Sequence, residues 1–313
     1  MANLLVTGAA GFIGSHTVDQ LLAAGHAVVG VDNFRTGLRA NLAAAGASPR
    51  FTLHEADVAA PGALDRLVAT TRPDAILHLA ALVSVQDSFA DPALNFALNV
   101  AATHFVAEAA RVHGVPRVVF ASSAAVYGDT TDLPIRESAP GRPISPYGAA
   151  KLASEALLLG HGAAFGFVVR CQRYFNVFGP RQDPSSPYSG VISIFERRCR
   201  EGKAVTIYGD GRQTRDFISV HDVARANVIA ATRREVPSGV ANICTGRATT
   251  LLDIMAVFRE HHPALPAAAH APPRAGDIIH SRGSPDEAAA ALGFRPAVPV
   301  ADGLRELIRT EAR

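Results

Sequence analysis

The chain has 313 residues, 48% hydrophobic and 19% charged, with a net charge of only +2, which is ordinary for a soluble globular enzyme with room for a large core. Charges of both signs are scattered, so there is no basic stripe with interleaved aromatics and no nucleic-acid partner is expected. The N-terminus enters a strand without signal-peptide flanks, no apolar run reaches the roughly 18 residues of a membrane span, Cys171, Cys199 and Cys244 form no CxxC pair, and the 12 histidines form no metal-spaced cluster, so a reduced, cytoplasmic protein without metal or membrane partner is expected.

In chain order, Asn3-Leu4-Leu5-Val6-Thr7 predicts a strand. It is followed at once by Gly8-Ala9-Ala10-Gly11-Phe12-Ile13-Gly14 and an amphipathic stretch from Ser15 to Ala24. Strand, glycine turn and helix in that order form the context of a dinucleotide motif. The glycines let the backbone turn sharply and approach a pyrophosphate, while the helix aims free N–H groups and its positive dipole end at the anion. The spacing is GxxGxxG rather than GxGxxG. A second strand, Ala27 to Val31, ends in Asp32-Asn33, where a carboxylate can accept both ribose hydroxyls of an adenosine and repels a 2′-phosphate. That predicts NAD rather than NADP. Arg35 either pairs with such a phosphate or is an exposed loop arginine.

Phe51 to Glu55 reads as a third strand with Asp57 just beyond it, placed for the adenine rim. Pro61 to Thr70 reads as a helix. Asp74 to Leu79 is a fourth strand running into Ala80-Ala81, small residues that suit either close approach to a cofactor or tight packing. Pro92 opens a long helix to His113 carrying Asn99, and Val115 to Ala121 is a fifth strand ending in Ser122-Ser123. Alternating strands and helices predict an α/β body, a Rossmann-type doubly wound parallel sheet with a smaller C-terminal lobe. Ligands sit beyond the carboxyl ends of such strands, which puts Asp32, Asp57, Ala80 and the serines along one edge. Arg197-Arg198-Cys199-Arg200 reads as a helix end whose cations offset the dipole, and His261-His262, before Pro263, as a solvated loop. The alanine patches Ala43–Ala45 and Ala288–Ala291 read as small-residue helix faces.

Pro146 suits a first helical turn, and a helix beginning there puts Tyr147 and Lys151 on one face, one turn apart. A neighbouring ammonium favours the phenolate; moving a phenol from pKa 10 to about 7 needs roughly 4 kcal/mol. Such a tyrosine is a base at neutral pH. An isolated YxxxK is more often a surface tyrosine beside a solvated lysine, and it is the surrounding motifs that decide.

Those motifs, TGAAGFIGSH, VDNF, EADV, HLAAL, SSAAVYG, SPYGAAK, RYFNVFGPRQDP, GDGRQTRDFISVHDVA and RAGDIIHS, run nearly the length of the chain. In them the sequence resembles the extended short-chain dehydrogenase/reductases, and among these the nucleotide-sugar 4-epimerases that act on UDP-glucose and UDP-N-acetylglucosamine. The resemblance implies an NAD domain over residues 1–170, a chain that crosses back around 210–240, and a nucleotide-sugar lobe mainly over 171–313. It implies NAD contacts from Gly8, Gly11, Phe12, Ile13, Gly14, Asp32, Asn33, Asp57, Val58, Leu79, Ala80, Ala81, Asn99, Tyr147, Lys151 and Tyr174. Tyr147 would be the base, Lys151 would lower its pKa and bind ribose, and Ser123 would hydrogen-bond the reacting oxygen. For the UDP-sugar, Asn176, Arg215 and Arg274 would grip the phosphates, Asp277 the uridine ribose, and Val191, Ile207 and Tyr208 the base. Each has a plainer alternative: Arg215-Asp216 as a surface ion pair, Ile207 as core. Ser84 would bond the sugar or cap a turn. Ser281 falls where bulk limits the C2 substituent, so N-acetylated sugars should fit beside plain hexoses.

Related dehydratases carry an Asp-Glu pair where this chain has Ala124-Ala125, which argues against dehydration. Two other functions stay open, epimerisation of another nucleotide sugar such as a UDP-uronic acid, and a non-catalytic NAD sensor. A homodimer through the helices from Pro92 and Pro146 is expected from the family pattern.

Overall fold

The computed structural model describes residues 1–183, 190–273 and 279–311. Arg274 and Asp277, two of the expected phosphate and ribose contacts, lie outside the described residues. The strands in chain order are β1 (Asn3–Thr7), β2 (Ala27–Asp32), β3 (Phe51–Glu55), β4 (Ala75–His78), β5 (Arg117–Ser123) and β6 (Val168–Tyr174), then β7 (Asn176–Phe178), β8 (Thr206–Tyr208), β9 (Thr214–Arg215), β10 (Phe217–Ser219), β11 (Gly239–Ile243), β12 (Thr249–Thr250) and β13 (Ala269–Ala271). Seven form one sheet in the order β11-β6-β5-β4-β1-β2-β3, and every neighbouring pair in it is parallel. This is the doubly wound order, with the chain reversing direction across the sheet between β1 and β4.

Both faces of a parallel sheet are covered by helices, so its strands are apolar at successive positions and the residues alternate between two cores. Leu4, Val6, Leu77, Val119 and Ala121 belong to one core, which the helices Phe12–Ala23 and Val220–Thr232 cover. Leu5, Ile76, Val118, Phe120 and Val169 belong to the other, under the helices Ala63–Thr71, Ala102–His113 and Pro146–Phe165. A third cluster, from Phe178, Ile192, Phe195, Ile207, Phe217, Phe258 and Leu307, makes the core of the C-terminal lobe. The lobe carries three two-stranded pairings, β7 with β10, β8 with β13 and β9 with β12. After visiting it the chain returns to add β11 against β6.

Several expected boundaries move. The first helix begins at Phe12, inside the glycine turn, rather than at Ser15, and the fifth strand runs Arg117–Ser123, which places Ser123 on the strand itself. The long helix from Pro92 widens into a π-helical segment at Phe96–Ala101; there the Asn99 carbonyl accepts from the hydroxyls of Thr103 at 2.5 Å and Ser154 at 3.0 Å. His261 ends the helix Leu251–His261 instead of lying in a loop, and the Nε2 of half-buried His262 makes no hydrogen bond among the described residues, so the solvated reading fails for it. The basic run is the last turn of the helix Val191–Arg200, as read. Cys171, Cys199 and Cys244 are buried free thiols. Among the described residues no helix is long and apolar enough to cross a membrane, and no group of three His, Cys, Asp or Glu side chains is arranged to hold a metal.

Candidate active site

A cavity of about 810 Å³ opens along the carboxyl edge of the large sheet. Gly8, Gly11, Phe12, Ile13, Gly14, Asp32, Asn33, Asp57, Val58, Leu79, Ala80 and Ala81 line it, together with Ser84, Ser123, Tyr147, Lys151 and Tyr174.

The glycine turn is shaped by close backbone approach. Gly8 has φ +69°, and a Cβ there would stand 2.8 Å from the Ala80 nitrogen; a Cβ on Gly14 would stand 1.9 Å from the Gly8 carbonyl oxygen. No side chain could be tolerated at Gly14 without moving the turn. The helix Phe12–Ala23 has Gly11 as N-cap, no side-chain cap and no acid in its first turn. The N–H groups of its first turn therefore have no intrahelical acceptor and face a site suited to an anion. The Asp32 carboxylate is fixed by the N–H groups of Ala10 and Phe34, each at 2.8 Å, which leaves lone pairs for further donors. A Cβ on Gly37 would meet that carboxylate at 2.9 Å. Cradle, open helix end and oriented carboxylate together fit a dinucleotide. Arg35 is exposed on the cavity rim.

The Leu79–Ala80 wall is tied down from behind. Thr7 Oγ1 accepts the N–H groups of Leu79 and Ala80, both at 3.2 Å, and lies 2.9 Å from His78 Nδ1. With its lone pairs used, the hydroxyl donates to Nδ1; Nε2 then carries the proton and donates to Thr103 Oγ1 at 3.2 Å. The chain of bonds needs a neutral imidazole, and burial pushes the His78 pKa down to about 3, helped by Lys151. Asn99 does not line the cavity. Its amide donates to the Leu82 carbonyl at 3.0 Å and to Asn95 at 2.7 Å, so it braces the wall from inside the π-helical segment.

The reactive groups come from two elements. Ser145 caps the helix Pro146–Phe165 by accepting from the Gly148 N–H at 3.1 Å, with proline in the first turn. A Cβ on Gly148 would lie 2.5 Å from the Ala125 carbonyl oxygen, so glycine is what lets this helix start dock on the turn after Ser123. Tyr147 and Lys151 are 9% and 3% exposed. Lys151 Nζ donates to the Ala121 carbonyl at 2.8 Å, with Nζ 4.8 Å from the centre of the Phe120 ring and 5.9 Å from that of Tyr147. Burial pushes the Lys151 pKa down to about 7, opposed by Glu155. Burial also raises the phenol of Tyr147, opposed by its hydrogen bond with Ser123. The ammonium is held at a strand carbonyl and over the ring face, not at the phenol oxygen, and the group that favours the phenolate is Ser123. The Tyr174 hydroxyl is committed to Asn227 Oδ1 at 2.6 Å, so this residue offers the cavity its ring.

Ser84 lines the cavity and caps the helix Val85–Ala90 by accepting from the Asp87 N–H at 2.9 Å, as its plainer reading has it. The other described residues expected to hold the nucleotide lie off the cavity. Ile207 is 1% exposed and belongs to the lobe core, which favours its plainer reading. Val191 opens the helix Val191–Arg200 and packs against the same core. Asn176 donates from its backbone and its amide to the Asp216 carbonyl at 3.0 and 3.3 Å. Arg215 donates to the carbonyls of Thr214 and Ile279. The Asp216 carboxylate is buried among the Thr245, Gly246 and Gly283 N–H groups and the Thr245 hydroxyl, so an Arg215–Asp216 surface pair is not formed. Ser281 donates to the Thr214 carbonyl at 3.1 Å, and Gln213 links to the Tyr208 carbonyl; Tyr208, Arg215 and Ser281 thus share one region of the lobe.

Lining residues that the sequence reading did not single out include Gly37, Phe175, Val177, Arg181 and Asp183. Phe175 follows β6 directly, Val177 lies in β7, and Arg181 and Asp183 come after it; the carboxyl-edge rule applied to β6 would have found Phe175. Arg181, at φ +67°, pairs with Asp19 at 2.8 Å.

The sequence matches the NAD dependent epimerase/dehydratase family over residues 4–244. A UDP-glucose 4-epimerase of Mycolicibacterium smegmatis is 40% identical over 97% of this chain and 96% of its own length. The crystal structure of Thermus thermophilus UDP-glucose 4-epimerase with NAD superposes with a TM-score of 0.87 at 37% identity, covering 98% of each chain. A UDP-N-acetylglucosamine 4-epimerase of Methanobrevibacter ruminantium, in complex with UDP-N-acetylmuramic acid, superposes with a TM-score of 0.94 at 34% identity, covering 99% of this chain and 98% of that one.

Proposed function

This chain belongs to the NAD-dependent epimerase/dehydratase family, and from that premise we propose that it inverts C4 of a UDP-hexose, taking UDP-GlcNAc and UDP-GalNAc as well as UDP-glucose and UDP-galactose. The observation that carries the reading is the meeting of Ser123, Tyr147 and Lys151 on one cavity with the glycine cradle. A protein that only sensed the dinucleotide has no use for a buried phenol set on the cavity beside a serine and a lysine.

When bound, NAD supplies the acceptor and later the donor of the C4 hydride, so that the sugar passes through a 4-keto stage, and it brings a positively charged ring. Gly8, Gly11, Phe12, Ile13 and Gly14 hold its pyrophosphate, Asp32 an adenosine ribose, and Lys151 the nicotinamide ribose. Tyr147 takes the proton of the 4-hydroxyl and gives it back; Ser123 orients the reacting oxygen. Charge-assisted grips from Arg215 and Arg274 anchor the diphosphate while the hexose turns over its other face, with Asn176, Val191, Tyr208 and Asp277 completing the nucleotide subsite and Ser84 and Ser281 facing the sugar. Ala124 and Ala125, in the turn after Ser123, offer no acid or base for loss of water. Two copies associate through the helices of residues 92–113 and 146–165, whose exposed apolar side chains include Phe96, Val112 and Phe165.

The test incubates wild type and Tyr147→Phe with UDP-GlcNAc, UDP-glucose and UDP-glucuronate. We expect the galacto epimer of both neutral sugars, with the rate falling by about 10²- to 10⁴-fold in the variant. If neither neutral sugar yields a galacto product, the proposal fails; product from the glucuronate alone would move the activity to uronic acids.

A further inference from the structure

We propose that the buried Glu155–Arg173 pair is a charge clamp for this reaction, in which the Glu155 carboxylate keeps Lys151 an ammonium and fixes the Ser122–Ser123 strand end beside Tyr147. The inference rests on the catalytic reading of Tyr147 and Lys151, and it concerns two residues that do not line the cavity.

Glu155 follows Lys151 by four residues and Tyr147 by eight in the helix Pro146–Phe165, so the three share a face. Glu155 is 3% exposed and Arg173 6%. The Arg173 fork grips the carboxylate twice, Nε to Oε1 at 2.9 Å and Nη2 to Oε2 at 2.6 Å, and its guanidinium stacks 4.7 Å from the centre of the Tyr127 ring. Ser122 donates its hydroxyl to the same carboxylate. Ser122 stands between Ala121, whose carbonyl receives Lys151, and Ser123, which lines the cavity with Tyr147. Two buried charges one turn apart thus hold two consecutive residues of β5, Ala121 and Ser122, and so fix the position of Ser123, the next residue, on the cavity.

The charges account for the arrangement. Lys151 makes one hydrogen bond among the described residues, so the rest of its hydration is replaced by the ring faces of Phe120 and Tyr147, while the Glu155 carboxylate one turn on acts through its field. On its own helix it meets Tyr147 and Glu155. From β4 comes His78, neutral in its hydroxyl chain; from β5 come the Ala121 carbonyl and the hydroxyls of Ser122 and Ser123. From β6 come Arg173 and, protonated by burial, Cys171 and Tyr174. The helical residues 92–113 bring Asn99 and Thr103. Glu155 is the anion acting on Lys151. Neutralising it leaves Lys151 and Arg173 as two buried cations, and since a guanidinium does not give up its proton, the lysine loses its own.

The test measures pH profiles of Glu155→Gln, Arg173→Met and the double variant beside wild type. One profile is the rate at which added UDP-sugar reduces bound NAD; the other, which needs no sugar, is NAD affinity. Activity requires the ammonium, so it is lost as pH rises through the Lys151 pKa. Glu155→Gln moves this alkaline limb down by about one pH unit, which is about tenfold in rate on the limb. Arg173→Met removes a repelling cation and moves the limb up, and the double variant returns toward wild type. A pair that only packs the core lowers the melting temperature of every variant without opposite shifts. Shifts of the same sign, or none, overturn the clamp. If Glu155→Gln does not fold, the upward shift in Arg173→Met decides alone. If added UDP-sugar does not reduce bound NAD in the wild type, the proposed function fails, and the NAD-affinity profiles still judge the clamp.

Discussion

Acidification should unfold this protein through two histidines that are buried neutral. Burial pushes His78 down to about 3 and His16 down to about 4; they are 1% and 6% exposed. In the unfolded chain each binds a proton near the ordinary imidazole value of about 6.5. Protons therefore favour the unfolded state below that value, and stability falls with pH until the folded-state values are reached. At about pH 4.5 both are still neutral in the fold, and the two together cost about 5 kcal/mol at 1.36 kcal/mol per unit. That is a large part of a typical folding free energy of about 5–15 kcal/mol. Asp216 and Glu137, raised by burial, hold their protons more tightly in the fold and offset some of the loss at the lower end of the window. The assay is the urea midpoint between about pH 7.5 and pH 4.5 for wild type, His16→Gln, His78→Gln and the double variant. Wild type should lose most of its midpoint on acidification, and the double variant, although less stable at neutral pH, should show the flattest curve. Either a flat wild-type curve from pH 7 to about 5, or imidazole NMR titrations of both residues near 6.5, would refute the reasoning. Because His78 stays neutral in the fold until about pH 3, the Thr7 hydroxyl and the Leu79–Ala80 wall it holds should persist over this interval, and NAD affinity should fall only as the protein unfolds.

Gly14→Ala should abolish NAD binding while leaving a folded protein, because the new methyl meets the Gly8 carbonyl at 1.9 Å and the turn must open; calorimetric titration with NAD checks this, and wild-type affinity would contradict it. The three buried thiols, all raised by burial, should react with a maleimide only after denaturant is added, as mass spectrometry would reveal.

Much of this arrangement can be read from residues that act locally. The GxxGxxG turn, the Asp32 strand end, Pro146 with Ser145 before it, and the run of strand ends along one edge all follow from short-range chemistry, and they located most of the cavity. What escaped depends on contacts between distant segments. Glu155 reads as one more helical acid until Arg173, 18 residues on, is brought against it across the sheet. The direction of the Tyr147 shift turns on how deeply the helix start is buried, and a YxxxK spacing carries no information about burial. Asn99 looked like a ligand because it falls in the right helix; it instead bonds Leu82 from within the π-helical segment. Ile207 fell to the core for the same kind of reason, since one residue of a three-residue strand can face either way.

The way β11 joins β6 has a consequence for biosynthesis. Arg117, the first residue of β5, sends its guanidinium to the carbonyls of Ala230, Arg234 and Val236, all made well after the rest of its strand. A ribosome that has completed β6 therefore carries a nascent sheet with one raw margin and a buried cation whose acceptors do not yet exist. Closure waits until the polypeptide has built the distal lobe and come back, so a shortened product ending before β11 would emerge adhesive rather than as a smaller working unit, and the two halves supplied as separate polypeptides would have to find each other before either became soluble.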